Sequence, residues 1–428
     1  MELWSSRARL GYNAGELTMS GSLPFYQELY SRTGRANPHP IYARMRREAP
    51  IYHFITPNSG VPVWIATRYD DCVSLFRDTR LFKDIDRLTP AQREQYAALI
   101  GSEPSLNRHL LRVDPPDHTR LRTLMQKAFS SQIVESLRPR IQAIINELID
   151  QIEGRVEPAR DMDLIADFAV PLPVTVIAEI LGIPGEDRAR FRAWSHVLVS
   201  IPNTPAGLEH KRDAMRQFAT YLQGFIAARR AASQDDLISA LIAAKEEEDR
   251  LDMAELLSSV FLLLIAGHET TVNLIGNGML ALLEHPDERQ RLAREPTLIE
   301  SAVEEMLRFG SPVETTTTRW SATEIEIRGV CIPPGKLVLA SVLAANRDPE
   351  QFPEPDMFDI GRTPNRHIAF GFGSHYCLGA HLARVEAALA VQSLLARLPG
   401  LALATSVDTL QWSTGIFMRG LTALPLRF

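Results

Sequence analysis

The pattern of apolar and polar positions along the chain is mostly helical. Apolar residues recur every three or four positions over long stretches, the spacing of one buried helix face. This predicts short amphipathic helices over 40–48 and 69–78, the second with Cys72, Val73 and Phe76 on one face. Between them, 51–55 and 63–67 are rich in Ile, Val, Tyr and Trp and read as strands. Residues 81–111 have weak periodicity and read as a long loop with one helical turn, a kind of segment that often serves as a lid. Pro115 and Pro116 open the next helix, because proline suits a first helical turn. Further helices are expected over 132–153, 167–181, 187–199, 208–232 and 235–248.

The longest expected helix, 253–283, is apolar around most of its circumference and so should run through the core. His285-Pro286 ends it. A helix over 298–309, strands over 324–328 and 337–344, and an irregular stretch over 346–364 follow. A last long helix, 378–398, precedes a short β-rich tail. No low-complexity linker divides the chain. The expectation is a flexible arm over 1–22, with Met19 as an alternative start, and one mainly α domain over 23–428 with a small β region built from both chain ends.

Composition narrows the function. The 428 residues are 45% hydrophobic and 23% charged, ordinary for a globular protein. Lys and Arg number 46 against 52 Asp and Glu, and a net charge of −6 argues against a nucleic-acid partner. Three cysteines build no disulfide framework and suit a reducing, cytoplasmic setting. No run approaches the roughly 18 apolar residues of a membrane span. The N-terminus lacks the apolar stretch of a secretory signal.

Three stretches carry candidate chemistry. In Phe370-Gly371-Phe372-Gly373-Ser374-His375-Tyr376-Cys377-Leu378-Gly379, a cysteine stands before a helix behind two glycines. Helix N–H groups and the helix dipole favour a thiolate there. In Ala266-Gly267-His268-Glu269-Thr270-Thr271, an acid and two threonines interrupt a buried helix, where hydroxyls compete for backbone carbonyls and can open it locally. Glu305 and Arg308 are three apart and face one side of a helix. Taken singly, each has an ordinary structural explanation: a structural cysteine, a polar kink, a surface ion pair. Rival motifs fail. Tyr376 breaks a dinucleotide fingerprint begun by Gly371 and Gly373, and the Gly276-Asn277-Gly278 match has no strand before it. Val272 stands where a zinc-protease motif begun at His268-Glu269 needs histidine. Cys72 and Cys331 read as small buried hydrophobes.

In order and spacing, the three stretches resemble the cytochrome P450 family of haem-thiolate monooxygenases, from about residue 40 to the C-terminus. The loop fits F-x-x-G-x-x-x-C-x-G from Phe370, the helix fits A-G-x-E-T-T, and Glu305–Arg308 fits E-x-x-R. The run from Asp114 to Arg122, D-P-P-D-H-T-R-L-R, is similar to the haem-contacting helix of soluble bacterial members. The resemblance implies a P450 fold with the long helix over a haem. Cys377 is then the iron ligand, with Phe370 and Gly379 beside it. His118, Arg122, Arg319 and His375 hold the propionates. Ala266 and Gly267 line the oxygen site, Glu269 and Thr270 deliver protons, and His268 fills a variable position. Glu305 and Arg308 are structural, with Arg362 as their third member.

The implied reaction inserts one atom of O2 into a lipophilic small molecule, by hydroxylation or epoxidation, on haem b. Polyketide macrolides, terpenoids and fatty acids are the candidate substrates. Electrons come from a ferredoxin and its NAD(P)H-dependent reductase, docking on a monomer near Arg112, Arg120, Lys127, Arg366 and Arg384. Substrate faces 81–111, 197–208, 262–269, 312–317 and 415–418, with Thr315 to Thr318 adding hydroxyls. A peroxide-driven peroxygenase and a haem-binding sensor are the rival readings.

Overall fold

A computed structural model describes residues 24–56, 60–96, 108–155, 161–199, 205–243 and 251–428. The expected arm lies outside them, as do 97–107 of the expected loop, 200–204 of the expected substrate-facing junction and 244–248 of the expected 235–248 helix. The described part of the 81–111 loop is more ordered than its pattern suggests. It holds a short strand at Leu81–Phe82, a 3-10 turn at Ile85–Arg87 and a helix at Pro90–Gln95 with a Thr89/Gln92 capping box.

The central helix, Met253–Glu284, starts at a capping box in which Asp252 and Glu255 satisfy each other's backbone N–H groups at 2.7 and 3.1 Å. By length and composition it could cross a bilayer, but most of it is wrapped by protein, so it is a core helix. Pro286 then opens a further helix, Pro286–Arg294, which the apolar pattern hides because Leu292 is its one buried residue. The central helix packs on helices Pro171–Ile180, Ile299–Phe309 and Ala380–Arg397 and on a wide turn, Ile165–Ala169, where a straight helical start was expected. Its glycines permit this packing. A Cβ at Gly276 would come within 2.6 Å of Ile165 Cδ1, and one at Gly278 within 2.6 Å of Met306 Sδ. The Gly276-x-Gly278 match is thus a packing feature.

The β region comes from distant parts of the chain. Strands β1 (Ile51–Ile55), β2 (Pro62–Ala66), β3 (Leu81–Phe82), β4 (Asp161–Asp163), β5 (Arg319–Ser321), β6 (Ile325–Ile327), β7 (Val330–Ile332), β8 (Leu337–Ala340), β9 (Ala402–Leu403) and β10 (Pro425–Arg427) form three sheets. The largest has the order β1-β2-β8-β5-β3, with β2 and β8 parallel. The sheet β4-β10-β9 also recruits the chain's middle, which a β region of chain ends alone did not foresee. Strand β8 stops at Ala340 because the Ser341 hydroxyl caps a short helix, accepting from Ala344 N at 3.2 Å. Cys72 is buried as expected, but Cys331 is exposed on the β6–β7 hairpin and is not a core residue.

Two buried carboxylates tie these parts together. Glu314 accepts from Tyr42 Oη at 2.7 Å and Arg35 Nη1 at 2.5 Å. Arg419 donates to the Arg35 and Ala36 carbonyls at 2.6 and 3.1 Å, so both chain ends meet here. Glu305 is fully buried with Arg308, which excludes a surface ion pair. It accepts from Arg308 Nε (2.8 Å) and Nη2 (2.7 Å), Asp359 N (3.0 Å), Arg362 Nε (3.2 Å) and Asn365 Nδ2 (3.1 Å). Arg308 and Arg362 spend their other N–H groups on carbonyls of Asn346, Pro353, Pro355 and Met357, among others. The irregular stretch is therefore held by charge and hydrogen bonds rather than by its own secondary structure. The neighbouring Glu304 accepts from Arg384 Nε and Nη2 at 2.6 and 2.8 Å and contacts His367 Nε2 at 3.0 Å.

Removing the Glu305 carboxylate leaves buried cations unpaired, a loss of about 3–5 kcal/mol. Folded Glu305→Ala is expected to carry less haem than the parent, because this stretch leads into the cysteine loop; normal haem content would contradict that. For Glu304, burial raises the carboxyl pKa, but Arg384 and His367 overcome it and hold it at about 2, against an ordinary 4.5. A depressed carboxyl stabilises the fold fully above its unfolded value and loses that contribution as pH falls. Glu304→Gln should therefore show a shallower loss of stability between pH 4.5 and 2. Denaturation curves at stepped pH that overlay those of the parent would refute this.

Candidate active site

The cysteine loop is closed by its own backbone. Cys377 N donates to Phe370 O at 2.9 Å, Gly371 N to Ile368 O at 2.9 Å and Tyr376 N to Gly373 O at 3.1 Å. Gly371 and Gly373 both have φ of 74°, a region that favours glycine. The helix begins at Ala380 with Gly379 as N-cap, two residues later than expected. Phe370 packs against the main core, and the Arg384 guanidinium lies 4.5 Å from its ring centroid. Glu304, Arg384 and Phe370 thus form a brace behind the cysteine. The sequence did not reveal it, because Glu304 and Arg384 are 80 residues apart.

Cys377 is accessible, yet burial pushes its thiol pKa up, against the lowering pull of the Gly379 N–H, Arg122 and Arg384. A thiol that is both surrounded by protein and accessible faces an interior space. Desolvation opposes the thiolate expected from the helix terminus, and a coordinated metal ion ionises a thiol outright. A Cβ at Gly379 would meet nothing within 4 Å, so this side of the loop is open.

The central helix supplies another partly open surface. It is buried on both sides of residues 261–270, where Leu262, Leu263, Ile265, Ala266, Gly267, Glu269 and Thr270 are only half-buried. The expected local opening is absent, and the helix runs unbroken through the motif. Thr270 and Thr271 instead donate to the carbonyls of Ala266 (2.6 Å) and Gly267 (3.0 Å), four residues back. His268 is buried. Burial raises the Glu269 pKa, with Lys211 opposing, so this acid holds its proton to higher pH than an exposed glutamate.

The four expected propionate residues come together. The rings of His118 and His375 lie 4.1 Å apart, and burial lowers both pKa values. His375 also feels the charges of Arg319 and Arg122. Arg319 is buried, is held down to about 10 by desolvation, and donates to Thr317 O at 3.2 Å. Among the described residues no carboxylate lies within ion-pair distance of Arg122 or Arg319, and His118 Nε2 has no hydrogen-bond partner. A buried and a half-buried guanidinium with no carboxylate in ion-pair distance, beside two imidazoles and an accessible thiol, fit a flat metal cofactor that carries carboxylates. Cys377 would hold its metal ion and these four residues would hold its carboxylates.

Other expected residues have partners within the chain. Of the five arginines and lysines proposed for docking, Arg120 is bound to Glu255 and Arg384 to Glu304, and burial lowers the pKa of Arg112. Arg366 is exposed, and nothing is described of the Lys127 side chain. The threonine hydroxyls do not line the substrate space as free groups. Thr315 donates to Ile416 O (2.9 Å), Thr316 accepts from Ala340 N (3.1 Å) and Thr317 accepts from Lys83 Nζ (2.6 Å). The neighbouring surface is left to Val313, Ile416 and Phe417, which are apolar.

Comparison with known proteins agrees with this geometry. The cytochrome P450 family pattern matches residues 85–399. Cytochrome P450 107B1 of Saccharopolyspora erythraea is 46% identical over 392 residues, covering 91% of this chain and 94% of that protein. The polyketide biosynthesis cytochrome P450 PksS of Bacillus subtilis is 41% identical over 394 residues, covering 91% and 95%. The crystal structure of the myxobacterial CYP267B1 in complex with myristic acid superposes with a TM-score of 0.88 at 51% identity, covering 94% of this chain and 99% of that one. With Cys377, the Glu269–Thr270 turn and the Glu305–Arg308–Arg362 lock in their places, the chain belongs to the cytochrome P450 family and is a P450 monooxygenase.

Proposed function

We propose that this monooxygenase hydroxylates or epoxidises a polyketide-type lipophilic molecule in secondary metabolism, in the cytoplasm. The observation that carries this is the half-buried apolar face of the central helix beside Glu269 and Thr270. Such a surface favours an apolar substrate body. The polyketide role in the name of PksS supports the same class. A fatty-acid substrate is the second reading, favoured by the myristic acid bound to CYP267B1.

Bound haem supplies the redox chemistry that activates O2. The chain's own residues bind it and move protons. Cys377 is the one cysteine in the loop, while Cys72 is buried elsewhere and Cys331 lies on a hairpin, so noncovalent haem b is the form that suits. Thr270 Oγ1 gives its single proton to Ala266 O and keeps its lone pairs for accepting. Glu269, with its raised pKa, is the proton carrier beside it. Electrons come from a ferredoxin and its NAD(P)H-dependent reductase, with exposed Arg366 as a docking cation.

The test is the absorption spectrum of reduced protein with carbon monoxide. A strongly red-shifted Soret band lost in Cys377→Ala is expected; a histidine-type band would overturn the ligand assignment. With a surrogate redox pair, Thr270→Val should keep that band but yield less product per NAD(P)H consumed. An unchanged yield would remove Thr270 from the proton path.

A further inference from the structure

Lys83 is a buried amine with no ion-pair partner among the described residues; burial and the charge of Arg319 push its pKa well down, with Asp114 opposing. It follows β3, whose pairing with β5 sets Leu81 against Ser321 and Phe82 against Trp320. Carried one residue further, that register puts Lys83 opposite Arg319. Its side chain is buried, and Nζ donates to two neutral oxygens, Thr317 Oγ1 at 2.6 Å and Thr318 O at 3.4 Å. Among the described residues no carboxylate lies within ion-pair distance of Nζ. The nearby acid, Asp114, is otherwise engaged. It accepts the backbone N–H groups of Lys83 (both oxygens at 3.1 Å) and Asp84 (3.2 Å) and pairs with Arg87 at 3.2 Å. Asp114 therefore shapes the backbone and makes no ion pair with Lys83 Nζ, although its charge favours the protonated amine.

The same space holds the predicted cofactor-binding residues. Lys83 Nζ and Arg319 Nη1 both donate to Thr317, to its hydroxyl at 2.6 Å and to its carbonyl at 3.2 Å, so the two basic side chains end at one residue. Burying an ammonium costs several kcal/mol unless an anion meets it. A carboxylate presented by a ligand is the partner this arrangement lacks.

We propose that Lys83 is a cofactor-binding residue whose ammonium pairs, beside Arg319, with a carboxylate of the bound haem. The inference rests on the P450 reading of the site. The competing role is structural, with Lys83 only fastening Thr317 and Thr318. Lys83→Gln keeps a donor for those oxygens and removes the charge; Lys83→Arg restores the charge. In purified holoenzyme, Lys83→Gln is expected to lose haem to apomyoglobin on the order of tenfold faster than the parent. Its ferric–ferrous midpoint should move to lower potential, because a nearby positive charge favours the reduced state. Lys83→Arg should recover both. If Lys83→Gln matches the parent in haem loss and potential, whether or not its thermal midpoint falls, the proposal is overturned and the structural role stands. A parent protein that takes up no haem overturns the cofactor reading itself.

Discussion

A carboxylate with no access to water must be met by donors, and Glu305 is met by five. Its position fixes much else. Arg308 and Arg362, held by that carboxylate, reach out to the carbonyls of a stretch that has almost no regular structure. That stretch delivers the chain to Phe370 and Cys377. The pair is an expensive way to fasten a loop, since two buried charges regain little over an apolar contact. It does give direction, because guanidinium forks dictate angles that apolar packing would leave free.

The interior space beside Cys377 shows a different balance. Its thiol, its imidazoles and its cations are all desolvated, and each has its pKa moved toward the neutral form. Carboxylates brought by a bound ligand would draw these cations back toward their charged forms. Ligand binding and folding then share free energy, and the loaded protein is the more stable one.

Much of this was readable in the sequence. Long helices announce themselves by period, and 253–283 was placed to within one residue of Met253–Glu284. The cysteine loop, the acid–alcohol turn and the Glu305–Arg308 pair were visible as local spacings. What was hidden depends on contacts between distant residues. The Glu304–Arg384 brace and the facing of Lys83 toward Arg319 have no local spacing to betray them. Short strands such as β3 and β5 carry too few residues for a period. The threonines at 315–317 looked like free hydroxyls because their acceptors and donors sit on other segments.

The main sheet joins β2 to β8 and the first helices to Glu314 and Arg419. On the ribosome this sets a waiting time. The β1–β2 hairpin emerges early, but its parallel neighbour Leu337–Ala340 is made only after most of the chain. At about 5–20 residues per second, that delay is on the order of tens of seconds. Through it, β2 presents an unpaired edge and Arg35 lacks its carboxylate. The nascent protein therefore carries an unpaired strand edge through much of its synthesis, and chaperone demand should concentrate on the β1–β2 hairpin.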